Sequence, residues 1–537
     1  MLQQLIIGFL CAAACLAQDV ARIDQIVQSY ATEKKFMGSA LVARGDDVIF
    51  SKAYGSANLE WQIPNAPSTR FRLGSITKQF TAASILLLEE QGKLKTEDPV
   101  KKYLADAPAA WDNITIFHLL THSSGLPNFT GFPEYPNARA IPTTPEKLVA
   151  RFRDKPLDFP PGEKFQYSNS GYVLLGYLIE KISSGSYEKF VQDNIFTPLL
   201  MKDSGYDSNS AIIARRATGY APSPTGPRNA EFIHMSIPHA AGALYSTTED
   251  LLKWQRALYG GKLLSPASFK KMTTPFKGNY AFGLTVSSEG RKQFEHGGGI
   301  EGFNTDLVYT PDTQVTVAVL SNLNGPAAQE ITAKLVALAN GENVKLMSER
   351  KEITVAPGIL SKYVGTYELS AGVNMMIRLE GSQLTSQLPG QRAIPIFPES
   401  ETKFFPKVVD AEIEFGKDEK GAVTNLTLRQ GGRETKCVRT SGTVLERREV
   451  TLSPKIVALY AGTYELRPGF NLVVTLEGEQ LMSQATGQPK VPLFAESESK
   501  FFLKAVDAQI EFFKNEQGAV THLMLHQGPA NLKGTRQ

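Results

Sequence analysis

A chain of 537 residues is too long for one ordinary hydrophobic core, so two to four domains are expected. With 42% hydrophobic and 21% charged residues it reads as globular, and a net charge of +3 without a dense Lys/Arg block speaks against nucleic acid or an anionic membrane surface as partner. A small-molecule or peptide substrate, or a protein partner, is what this balance leaves.

Leu5 to Ala17 is the one long apolar run near a terminus. At about 13 residues it is too short to cross a bilayer but suits the core of a signal peptide. Residues 1–17 are therefore read as a leader cleaved after Ala17, and the mature chain as exported to the periplasm or beyond, without a transmembrane span. Lipid attachment at Cys15 is the weaker alternative, because Ala12-Ala-Ala14 lacks the larger apolar residue such signals carry. Cleavage leaves Cys437 alone, expected as a small apolar filler, and no intramolecular disulfide can form.

Residues 18–345 mix strand and helix signals. Gly38-Ser-Ala-Leu-Val-Ala-Arg and Val48-Ile-Phe-Ser-Lys-Ala-Tyr flank Gly45-Asp-Asp, a hairpin pattern. A helix over 76–91 follows, apolar nearly all round between Ala82 and Leu88 and stopped by Gly92. Its entrance carries Ser75 and Lys78, spaced i, i+3 and so on one face. A serine hydroxyl is a poor nucleophile until a neighbour takes its proton. A lysine can do so when neutral, and burial and the positive end of a helix both disfavour its charged form. Ser-x-x-Lys recurs at Ser186/Lys189, Ser268/Lys271, Ser348/Lys351, Ser400/Lys403 and Ser497/Lys500, but the copy at Ser75 is the one that opens a long apolar helix.

Further helices are expected over 145–153, 170–183 and 248–258. Phe165-Gln-Tyr-Ser-Asn-Ser-Gly171 leads into the second of these. Tyr167 could relay a proton and Asn169 could hold a substrate amide or orient Lys78, the bland alternative being that Ser168 or Asn169 caps the helix. Phe294-Glu-His-Gly-Gly-Gly-Ile-Glu-Gly302 precedes strands at Phe303–Tyr309 and Val315–Leu320. Consecutive glycines leave an edge without side chains, where substrate could approach backbone donors. Strands at both ends with helices between them imply one antiparallel sheet built from the two ends, packed on helices: an α+β domain.

No Gly-x-Ser-x-Gly elbow occurs, and the pairs His118/His122 and His522/His526 lack the Glu of a zincin motif. No metal and no cofactor are called for.

The last part of the chain is a tandem repeat. Tyr363-Val-Gly-Thr-Tyr-Glu-Leu returns as Tyr460-Ala-Gly-Thr-Tyr-Glu-Leu, Lys403-Phe-Phe as Lys500-Phe-Phe, and Gly421-Ala-Val-Thr as Gly518-Ala-Val-Thr, each 97 positions on. Short alternating runs between Gly or polar turns read as an antiparallel meander, and the period is too long for a solenoid. Two small all-β barrel-like domains are expected, at 349–445 and 446–537.

Ser75-Ile-Thr-Lys78, Tyr167-Ser-Asn169 and His296-Gly-Gly298 occur in this order, with Ile114-Thr-Ile-Phe-His-Leu-Leu-Thr-His-Ser-Ser-Gly-Leu126 and Gly242-Ala-Leu-Tyr-Ser-Thr-Thr-Glu-Asp250 between and around them. Over about residues 20–340 the chain resembles the penicillin-recognising serine hydrolases: AmpC-like serine β-lactamases, D-alanyl-D-alanine carboxypeptidases, esterases and D-aminopeptidases. The two repeats are similar to the lipocalin-like barrels sometimes appended to that family. The resemblance implies an acyl-enzyme on Ser75, proton handling by Lys78 and Tyr167, and substrate contacts from Asn169, His296 and Gly298. It implies an oxyanion hole of the Ser75 and Gly299 N–H groups. Which of Lys78 and Tyr167 is the general base stays open. His296 stands where many β-lactamases have a lysine, which weakens the pull on a substrate carboxylate. The expected function is thus an exported serine hydrolase of a D-amino-acid peptide, its amide, or a small ester. Alternatives are a serine β-lactamase and a β-lactam- or peptide-binding sensor with little turnover. For the barrels, covering the site, oligomerisation and binding of peptidoglycan are equally open.

Overall fold

A computed structural model describes residues 19–537 apart from 288–289, 371–372, 431–432, 443–448, 468, 505, 507 and 528–529. The expected signal peptide and Cys15 lie outside the described residues. The chain divides into two compact units, one ending at Val344 and the other running from Lys345 to Gln537.

The first unit is built on a six-stranded antiparallel sheet whose strands come from both ends of its sequence. In space the order is β3 (Thr285–Ser287), β4 (Gln293–Ile300), β5 (Phe303–Thr310), β6 (Val315–Ser321), β1 (Gly38–Arg44) and β2 (Asp47–Tyr54). Gly45, with φ +55°, makes the expected turn between β1 and β2. Antiparallel sheets often leave one face in water, but β6 is buried at every residue and β1 at all but its last. Leu41 and Ala43 pack on Leu252 of a helix α4 (Thr248–Tyr259), while Ala40 and Val42 alternate to the opposite face, and helix α5 (Ala327–Ala339) also packs on β6. A first helix α1, over 19–32, is tied to β2 by the Tyr54 hydroxyl, which donates to Asp24 at 2.6 Å.

Between the two halves of the sheet run helices α2 (Thr77–Glu90) and α3 (Asn169–Ser183). The all-round apolar pattern of α2 has its cause here: every residue from Thr77 to Leu86 is buried, and Phe80 packs on Trp254 at 4.2 Å between ring centroids. Its entrance is fastened to the segment 240–246. Phe71–Arg72 pairs with Tyr245–Ser246, Leu73 N–H donates to the Leu244 carbonyl at 2.8 Å, and Leu244 N–H donates to Thr77 Oγ1 at 3.2 Å.

The second unit holds the repeats. Eight strands between Gly365 and Ser441 close into a barrel. The second copy, between Gly462 and Arg536, is a nine-stranded sheet rolled the same way. Where the first copy has one strand, Ile394–Pro398, the second has two pieces, Val491–Pro492 and Phe494–Ala495, with Leu493 between them. Leu493 N–H still donates to the Leu481 carbonyl at 2.8 Å, so the opening is a single irregular residue. The aromatic centres of the two cores repeat. Tyr367 donates to the Tyr363 carbonyl and Tyr464 to the Tyr460 carbonyl, both at 2.8 Å, and Tyr363 stacks on Phe415 as Tyr460 does on Phe512. Cys437 is buried in the first of these cores, a filler as expected.

Candidate active site

Ser75 sits in a 3-10 turn, Gly74–Ile76, that runs directly into α2. Gly74 has φ +54°, and a Cβ there would come within 2.9 Å of the Gly299 nitrogen, which places the Gly299 amide against this turn. Lys78, one turn on, is fully buried. Its Nζ lies 3.0 Å from Ser75 Oγ, 2.9 Å from Asn169 Oδ1 and 2.8 Å from the Ala241 carbonyl oxygen. Burial holds the amine well below the ordinary lysine range, with no carboxylate among the described residues to offset it.

Asn169 opens α3 but is no cap: its Oδ1 takes the Lys78 contact, its Nδ2 donates to Thr130 Oγ1 at 3.3 Å, and its N–H donates to Asn128 Oδ1 at 3.1 Å. Ser168, at the helix N-cap, makes no side-chain cap either. The Tyr167 ring lies 4.8 Å from Lys78 Nζ. Burial holds its phenol above the ordinary value, against a hydrogen bond with Ser75 that acts in the opposite sense. The first two segments therefore meet at Lys78 Nζ, and Gly299 of the third lies against the turn that carries Ser75.

His296 corrects the sequence reading. It lies on β4 and was expected to touch substrate, yet it is 7% exposed and both ring nitrogens are spent inside the protein. Nδ1 lies 2.6 Å from the Gly297 carbonyl, which can only accept, so Nδ1 carries the proton and Nε2 accepts from the Tyr280 hydroxyl at 3.0 Å. Burial is the main cause that pulls the imidazole down to about 3. At neutral pH position 296 supplies neither a charge nor a free donor.

The glycine run divides by face. Gly298 is buried, and a Cβ there would lie 1.9 Å from the Leu73 carbonyl oxygen, so its bareness lets β4 close on the Ser75 turn. Gly299 is exposed, and a Cβ on it would meet nothing nearer than Asn304 Nδ2 at 3.5 Å. The expected bare surface is thus found on the face of Gly299, while the face of Gly298 is filled by the turn.

Three participants escaped sequence reasoning. The Ala241 carbonyl is backbone and leaves no mark in residue type. Tyr280 lies in a loop without periodicity. His122 falls in the stretch 114–126 but was weighed only with His118 as a metal pair; in the fold Thr115 N–H donates to His118 Nδ1, whereas His122 accepts from Ser168 N–H.

A serine, a desolvated lysine and a tyrosine set between an antiparallel sheet and helices define a serine hydrolase of the penicillin-binding type. The family model described as Beta-lactamase matches residues 23–341, and one described as Domain of unknown function (DUF3471) matches 349–438 and 446–536. The chain is 30% identical over 448 residues to penicillin-binding protein 4* of Bacillus subtilis (strain 168), covering 78% of this chain and 98% of that one. Among solved structures it is similar to the octameric penicillin-binding protein homologue from Pyrococcus abyssi (28% identity, 79% of this chain and 99% of that one, TM-score 0.56). It is also similar to a D-stereospecific amidohydrolase from Streptomyces sp. (28% identity, 58% and 98%, TM-score 0.52). The chain belongs to the Beta-lactamase family of serine hydrolases. Among the described residues no helix is long and apolar enough to cross a membrane.

Proposed function

We propose that Ser75 is the nucleophile of a two-step acyl transfer and that Lys78 is its general base. The observation that carries this is the complete burial of Lys78 with its Nζ 3.0 Å from Ser75 Oγ. A neutral amine has two N–H bonds and one lone pair. The Asn169 Oδ1 and the Ala241 carbonyl can only accept, so they take the two N–H bonds, and the lone pair is left for the Ser75 hydroxyl. Tyr167, its phenol raised by burial, stays protonated at neutral pH and suits passing a proton to the leaving group better than taking one from serine. The tetrahedral oxyanion falls to the N–H groups of Ser75 and Gly299, each such donor being worth about 3 kcal/mol of barrier. Water then releases the acyl group.

The substrate class is a D-amino-acid amide or peptide, or a small ester. The likeness to a D-stereospecific amidohydrolase supports this, as does the neutral, occupied His296, which offers no charge to a substrate carboxylate. Loss of that charge weighs against efficient β-lactam hydrolysis. The proposed organisation is a leader over 1–17, a catalytic domain over 18–345 and barrels over 349–445 and 446–537; export rests on the apolar run Leu5–Ala17.

A fluorophosphonate probe is expected to add to Ser75 and to leave Ser75→Ala unmarked, with turnover of D-amino-acid amides or small esters exceeding that of a chromogenic cephalosporin. Labelling without turnover of any of these would favour the binding or sensor reading, and no adduct on Ser75 would remove the nucleophile.

A further inference from the structure

His122 is 1% exposed, has φ +53° without being glycine, and lies in none of the roles assigned above. It grips the second motif at two points. Gln166 N–H donates to the His122 carbonyl at 2.9 Å, and Ser168 N–H donates to Nδ1 at 3.2 Å. Residues 166 and 168 present their amides to the same side of an extended segment, so the imidazole stands where the next backbone carbonyl of a ladder would be. The positive φ explains the substitution: the chain turns away at His122 and its own backbone cannot continue the ladder.

Because an N–H can only donate, Nδ1 is bare and Nε2 carries the proton. Nε2 is buried with no hydrogen-bond partner among the described residues. A buried donor left unpaired costs about 1–3 kcal/mol. What surrounds the ring is aromatic: its centroid is 4.2 Å from that of Tyr167, 4.6 Å from Tyr280 and 5.0 Å from Tyr172. The imidazole thus packs on the ring of Tyr167 and on that of Tyr280, whose hydroxyl donates to His296.

We propose that His122 is a positioning residue for the second motif, holding the Gln166–Ser168 backbone and the Tyr167 ring so that phenol and Asn169 amide meet the Ser75–Lys78 pair. This rests on the reading of Ser75 as nucleophile. The test compares His122→Gly, His122→Leu and His122→Asn in the full chain, with rates on a D-amino-acid amide or activated ester expressed per Ser75 that a fluorophosphonate labels at completion. Glycine accepts the positive φ but offers no acceptor; asparagine accepts the φ and carries Oδ1 near the place of Nδ1. We expect Gly and Leu to lower kcat about 10- to 100-fold with KM within about threefold, the cost of a catalytic group displaced by an ångström or so, and Asn to stay within about fivefold of wild type. Wild-type kcat in His122→Gly, or an Asn variant as slow as Gly, would overturn the proposal. An unlabelled wild type would instead overturn the nucleophile assignment.

Discussion

Under the proposed mechanism Lys78 acts as a free amine, so the substitution that tests it keeps a long basic side chain and removes the ability to lose a proton. Lys78→Arg does this, since a guanidinium stays charged at any pH a protein survives. kcat on an activated ester should fall by about 10³-fold or more while the protein remains folded, and retained turnover would show that another group takes the serine proton. The pH dependence follows from the same shift. Activity is lost as pH falls through the lysine's own titration, which burial moves well below the ordinary lysine range, so kcat/KM should reach its plateau well short of pH 10. No limb near 6.5 is expected from His296, which stays neutral down to about 3. At this scale the sequence was legible where spacing on one helix face carries the message, as at Ser75 and Lys78. It was silent at Ala241, because a carbonyl is common to every residue.

At the scale of elements, the contact between β4 and the turn before α2 decides where the nucleophile stands. Gly298 and Gly299 are neighbours of one type with opposite consequences. Gly298→Ala would drive a methyl into the Leu73 carbonyl, which also accepts from Thr305 Oγ1 at 2.7 Å. Neither backbone can give without moving Ser75, so a fall in melting temperature and a loss of about 10²-fold in kcat are expected together. Gly299→Ala meets only an amide at ordinary van der Waals distance and should melt within a degree or two of wild type. Thermal melts and initial rates on the two variants check this, and equal melting losses would mean β4 is not pressed on the turn as described. Alternation along a strand predicted that neighbouring glycines face opposite ways, but not which face the turn would occupy.

For the whole molecule, histidine burial separates the two units in acid. His122, His239 and His296 are buried in the first unit, and burial lowers all three: His122 well below 6.5, His239 to about 4, His296 to about 3. The unfolded chain binds a proton at each near pH 6.5, whereas in the folded unit His239 waits until about 4, His296 until about 3, and burial holds His122 well below its ordinary range. Acid therefore favours unfolding across that window, by up to roughly 1.4 kcal/mol per pH unit for each histidine. The second unit has only His522 and His526, neither of them buried. Calorimetry between pH 7 and 4.5 should show the transition that abolishes Ser75 labelling moving down by many degrees more than the barrel transition. A catalytic transition that holds its temperature to pH 4.5 would contradict the buried neutral histidines.

The sequence by itself determined the elements and their order: the strands at both ends of the first unit, the buried helix behind Ser75, and a duplicated barrel whose core tyrosines recur 97 residues apart. Those follow from local periodicity and from repetition, which a chain displays without folding. Only the tertiary structure decided what His296 does, that His122 and Tyr280 belong to the site, and that the Ala241 carbonyl completes the lysine's partners. These depend on which atoms of separate segments meet, from 16 positions apart at Tyr280 and His296 to 163 at Lys78 and Ala241, and on how little water is left when they do.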